Sequence, residues 1–181
     1  MTDAQDTPQA PARVHFHEGS IPLPAGFEDR TTNLFVPPNT HQAPSLSIAR
    51  DWMHELETLS DYFERQLGRL KKQIAGYRLV SKGEALLGQG DGALKGLRVD
   101  AQYKSGSQFV FQRQAVFEVA PSRALIFTAS NAKAFDERAN ELWRNWLEAF
   151  EPAAADPEEA PEQPPSDASV SSDTPPPADG A

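Results

Sequence analysis

The chain has 181 residues and a net charge of −9, yet ten of its 26 acidic residues lie in two proline-bearing ends, leaving the 13–150 core with 16 acidic against 17 basic residues. A near-neutral core without basic stripes argues against nucleic acid as the main partner. The absence of cysteine excludes disulfides and thiolate metal sites, and no apolar run approaches the roughly 20 residues that span a bilayer.

The opening MTDAQDTPQAPA (1–12) reads as a disordered leader and lacks the pattern of a signal peptide. Val14–His17 then has the look of a short strand, and EGSIPLPAGF, rich in proline and glycine, reads as a turn-rich connection. Thr31–Val36 and Ser45–Trp52 are strand-like. From there the period changes. Leu56, Leu59, Phe63, Leu67, Leu70 and Ile74 recur at helical spacing, and Gly76 stands where a C-terminal cap belongs. These residues predict a helix over 57–74. On it, Gln66 lies roughly 60° from the centre of the apolar stripe, a border it shares with Tyr62 and Gln73.

Tyr77–Leu87 resumes strand character, GQGDG (88–92) reads as a loop, and Leu94–Tyr103 is the next strand. Ser105-Gly106 predicts a hairpin turn into SQFVFQRQAVFEV, residues 107–119. As a strand this stretch has two rows of side chains. The odd row, Phe109, Phe111, Arg113, Ala115, Phe117 and Val119, is expected to pack under the helices. The even row mixes Val110 and Val116 with Gln108, Gln112 and Gln114, too apolar for open water and too amide-rich for a core. Pro121 marks a break before a strand at Ala124–Ala129. Phe135, Ala139, Leu142, Trp143, Trp146, Leu147 and Phe150 then form the apolar stripe of a closing helix. The order βββ-α-ββββ-α implies an α+β domain over 13–150 around a largely antiparallel sheet. From Glu151 onward, eight prolines and eight acidic residues without a basic or aromatic partner read as a disordered tail, 151–181. Composition therefore points to one soluble, cytosolic domain.

Catalytic chemistry has little support in the residues. His15 and His17 would face one way on a strand with Glu18 beside them, but no third ligand is positioned, and His41 and His54 add none at ligand spacing. The glycines of 88–92 lack the phosphate-loop pattern and precede a strand. Trp143 and Trp146, alongside Leu142 and Leu147, read as core rather than as a ligand platform. No enzyme, metal or cofactor is expected. The alternatives are a generic protein-interaction module or a small-ligand binder.

Taken in order, HEGSIPLPAGFEDRTTNLF, SIARD, DYFERQLGRLKKQIAGYRL and FQRQAVFE, closed by a Trp-bearing helix, resemble the Eag family of DcrB-like adaptor chaperones of type VI secretion effectors. The resemblance spans about 13–150. It implies a PsbP-like fold, a homodimer in the cytoplasm, and a concave sheet face that holds the N-terminal transmembrane segments of an effector. The effector's PAAR region would later dock on the VgrG spike. Residue by residue, the family's contact positions fall on Gln66 and Gln114, with apolar neighbours at Leu34, Ile48, Leu70, Ile74 and Val110. Thr32 and Ser47 stand where relatives carry bulkier apolar residues, and the acidic tail has no counterpart in the family pattern.

Such a task fits a mixed row of valine and glutamine. A transmembrane helix exposes apolar surface over about 30 Å and would aggregate in water. Apolar cover at about 25 cal/mol per Å² supplies the affinity. Glutamines, each bond worth about 1 kcal/mol net, would set register against backbone carbonyls.

Overall fold

The structure is a computed structural model that describes residues 13–39 and 42–153. The predicted leader, most of the predicted tail and His41 lie outside the described residues.

The chain opens with β1 (Arg13–Phe16) and β2 (Gly19–Pro22), which pair as an antiparallel ribbon of their own. The turn-rich connection expected here contains β2. Its proline stands at the strand's last position, where the missing N–H interrupts no ladder. Then come β3 (Thr32–Phe35), β4 (Ser45–Trp52), α1 (Leu59–Gln73), β5 (Arg78–Leu87), β6 (Leu94–Ser105), β7 (Gln108–Ala120), β8 (Arg123–Asn131) and α2 (Glu137–Glu148). A short 3-10 turn, Gly90–Gly92, occupies the glycine loop. Six strands form one sheet in the order β3-β4-β8-β7-β6-β5, every neighbour antiparallel. The α+β class holds, with four strands before the first helix in place of three.

Local chemistry explains the boundaries. Thr58 caps α1, its hydroxyl accepting from the Asp61 amide at 3.2 Å while the Asp61 carboxylate accepts from the Thr58 amide at 3.3 Å. This reciprocal box starts the helix at Leu59 rather than at residue 57. Leu56 accordingly leaves the apolar stripe: it sits outside the helix at φ +62° and is 96% exposed. The chain turns away from α1 through Ile74 in extended conformation and Gly76 at φ +70°. Between β6 and β7 only Gly106 and Ser107 separate the paired Ser105 and Gln108, with Gly106 supplying the left-handed residue of a two-residue hairpin.

The two helices cover opposite faces of the sheet. Tyr62, Phe63 and Leu67 of α1 pack with Val99, Val116 and Ala124. Trp143 and Leu147 of α2 pack with Ala115, Phe117, Phe127 and Ala129. On β7 the odd residues Ala115 and Phe117 thus lie under α2, and Val116 of the even row is core under α1. The expectation that one row holds both helices fails, because each face of this sheet receives its own helix. Burying each large side chain fully stabilises the fold by about 1.5–3 kcal/mol. The α2 side is dense with rings, Phe127 meeting Trp146 edge-on at 5.1 Å and Phe117 at 5.8 Å. Gly96 of β6 lets Phe117 settle: a Cβ there would fall 2.3 Å from the phenyl ring.

Candidate functional site

The register places side chains on the α1 face strand by strand. Leu34 pairs with Ser47, Ser47 with Thr128, Thr128 with Gln114, and Gln114 with Val99. One row nearer the α1 core run Thr32, Ala49, Ile126, Val116 and Leu97. Strand alternation keeps Val110 on the same face of β7, opposite Tyr103.

Where α1 overhangs this face, a cleft of about 350 Å³ opens between helix and strands. Gln66 and Leu70 line it from the helix, Gln114 and Thr128 from the sheet, with Tyr62 and Asp51 at its side. Asp51 is the polar hub. Its Oδ2 accepts from the Tyr62 hydroxyl and from Gln66 Nε2, each at 2.9 Å. Its Oδ1 accepts from the Trp52 amide at 2.9 Å and meets Arg30 Nη1 at 3.2 Å. Burial, followed by the bond to Asp51, pushes the Tyr62 phenol well above its ordinary range, so it stays a neutral donor. Outside the cleft, Arg65 clasps Glu57 through two bonds of 2.6 and 2.7 Å. Those bonds hold the Glu57 carboxyl down at about 2.

Of the seven residues singled out in the sequence, the cleft gathers Gln66, Leu70 and Gln114. Leu34 lies on the same face at the sheet edge, 66% exposed. Val110 is half-buried further along β7. Ile74 ends α1, half-buried, its amide donating to the Leu70 carbonyl at 2.9 Å. Ile48 stands apart. It pairs with Phe127 and Asn33 and packs in the α2 cluster, on the opposite face, because it is one residue out of phase with Ser47. Tyr62, expected at the helix border, is 1% exposed and belongs to the core. Asp51 was missed as a partner of Gln66. Its signal was available in the alternation Ser45, Ser47, Ala49, Asp51 along β4.

His15, His17 and Glu18 are exposed at the ribbon. Among the described residues no group of three or more His, Asp or Glu side chains is placed to hold a metal ion. No described helix is long and apolar enough to cross a membrane. A larger space of about 1240 Å³ lies beside the β5 edge and α2, where Arg98, Arg113 and Asn140 are found, and holds none of the seven residues.

Comparison with known proteins agrees with this architecture. The sequence profile of the DcrB family matches residues 18–149. A Pseudomonas aeruginosa protein named Effector EagT6 is 25% identical over 138 residues, which are 75% of this chain and 92% of that protein. The crystal structure of PA94 from Pseudomonas aeruginosa, a protein of unknown function, superposes with a TM-score of 0.65 at 23% identity. It covers 79% of this chain and 97% of its own. That likeness extends the agreement to the fold. With the family profile matching residues 18–149, most of its length, this chain belongs to the DcrB family.

Proposed function

We propose that this protein is an adaptor chaperone that shields the apolar N-terminal transmembrane segments of a PAAR-containing type VI secretion effector. It would hold them in the cytoplasm, as a homodimer, until the effector loads on the VgrG spike. The observation that carries the reading is the cleft beside α1, which brings Gln66, Leu70 and Gln114 together below an incompletely covered sheet face. Leu34 and Val110 extend that face, and the kinship with a protein named Effector EagT6 supports the link to an effector. Ile48, under α2, plays no part in it.

Apolar contact from Leu34, Leu70, Ile74 and Val110 would carry affinity, and the amides would fix position. No catalytic step is involved. The test is co-expression with the effector encoded beside this chain's gene, followed by pull-down. Leu34→Asp with Val110→Asp should abolish co-purification at unchanged far-UV circular dichroism. Leu142→Asp, on α2 and 38% exposed, should leave it intact. Effector capture that survives the double substitution sinks the proposal.

A further inference from the structure

β5 is the last strand of the sheet, so its outer row of N–H and C=O groups meets no strand among the described residues. α2 closes only one end of it, where the Gly88 amide donates to the Leu147 carbonyl at 2.9 Å. Nearer its start the helix is tied to β7 instead, Arg113 Nη1 donating to Asn140 Oδ1 at 2.8 Å. Between helix and edge lies the space of about 1240 Å³, which shares no residue with the cleft beside α1.

One side chain reaches across this edge. Gly83 of β5 pairs with Arg98 of β6. Having no side chain, Gly83 lets the Arg98 guanidinium lie over β5: Nη2 is 3.5 Å and Cζ 3.9 Å from where a Gly83 Cβ would stand. Glycine inside a strand often marks the close approach of another backbone. The guanidinium is loosely held. Its buried Nε lies 3.4 Å from Asp100 Oδ2 without forming a hydrogen bond, and among the described residues Arg98 donates to no acceptor. Asp100 is already engaged, accepting from Arg113 Nε and from Ser81 Oγ. Arg113 in turn is fixed by Asn140 and by the ring of Phe135, whose centre is 4.6 Å from its Cζ. One carboxylate thus faces two guanidiniums, and the uncompensated charge is that of Arg98, its side chain 34% exposed.

We infer that the β5 edge is a docking site for an extended peptide strand, added beside Arg78–Leu87, that carries an acidic residue opposite Gly83. Its carboxylate takes two N–H groups of Arg98 in the planar fork geometry that guanidinium and carboxylate share. The outer backbone groups of β5 supply the ladder, the mode by which exposed sheet edges take up peptides. Charge selects the occupant. Lys95, Arg98, Arg113 and Arg144 line the space against Glu84 and Glu148, a surplus of two positive charges that suits a single acidic residue rather than a polyanion. The site stands apart from the effector-helix reading and does not depend on it.

The test uses the full chain and a fluorescein-labelled Thr/Val peptide of about eight residues with glutamate at its centre, beside a twin with glutamine there, read by anisotropy. The glutamate peptide is expected to bind about tenfold tighter, one charge-assisted pair being at stake. Arg98→Met should erase that difference and keep the weaker binding at unchanged far-UV circular dichroism, since Asp100 retains Arg113 and Ser81. Gly83→Val, well suited to a strand, should erase it too by displacing the guanidinium. N-methyl groups on alternate peptide residues should abolish binding along one edge of the peptide and spare it along the other, as ladder pairing requires. Equal binding of the twins, binding of neither, a glutamate preference that survives Arg98→Met, or N-methylation tolerated along both edges overturns the proposal. So does a wild-type homodimer that binds neither peptide and dissociates in Gly83→Val, which would show a second copy of the chain on this edge.

Discussion

Gln66 and Asp51 are joined by a 2.9 Å hydrogen bond across the seam between α1 and β4, onto the carboxylate oxygen that also accepts the Tyr62 hydroxyl. The glutamine proposed to meet the effector is therefore already held at its nitrogen. Its oxygen accepts from no donor among the described residues and is the atom left for a client. Asp51→Ala strips both donors of their acceptor and leaves the buried Tyr62 hydroxyl unsatisfied. It should cost about 2–3 kcal/mol in urea unfolding. Gln66→Ala removes one bond at a half-buried position and should cost about 1 kcal/mol. Effector capture should fall in both. Only in Asp51→Ala should the fall track the loss of fold.

Acid should find Glu57. Its folded carboxyl titrates at about 2, below the ordinary 4.5, because Arg65 binds the ionised form. Between those values the unfolded chain binds the proton that the folded chain refuses, so stability rises with pH through this window. The contribution is complete above about 4.5 and lost as pH falls toward 2. Glu57→Gln should be less stable than wild type by about 1.5–3 kcal/mol at neutral pH. The two melting curves should converge near pH 2. A constant gap across the acid range would contradict the assignment.

Gly96→Ala tests the seat of Phe117. The added methyl would stand 2.3 Å from the phenyl ring and from the Val116 carbonyl, and both neighbours are buried and paired. Neither has room to retreat. A loss of about 3 kcal/mol in chemical denaturation is expected, at the upper end for overpacking.

Leu56 offers the opposite sign. It combines a left-handed backbone with almost complete exposure, so it carries strain without burying its side chain. Leu56→Gly should raise stability by about 0.5–1 kcal/mol, the relief of the left-handed conformation exceeding glycine's entropy cost. A lower melting temperature would show that this side chain is held by contacts of its own.

Much of the fold was legible from periodicity, since Leu59, Phe63 and Leu67 at helical spacing and the alternation of residues 107–119 are local signals. Of the β1–β2 ribbon, the first strand was legible at Val14–His17, and β2 escaped because proline and glycine there outweighed a four-residue pairing that depends on a partner strand. Leu56 escaped because the apolar spacing does not reveal that Thr58 and Asp61 cap the helix two residues later. Ile48 was placed by the family resemblance rather than by strand phase, and in a strand one position exchanges the faces. Gln66 and Gln114 were visible, but the Asp51 that holds Gln66 lies 15 residues away on another element. Pairings of that kind are set by the packing of α1 on the sheet.

With a helix on either side, the sheet works as a partition. Side chains that seat α2 and those that face the α1 cleft alternate along the same strands yet never share a surface. A library randomised only at Ser45, Ser47, Thr128, Gln112 and Gln114 would leave the ring-filled side under α2 untouched. Its members should keep a folded scaffold while their client preferences diverge.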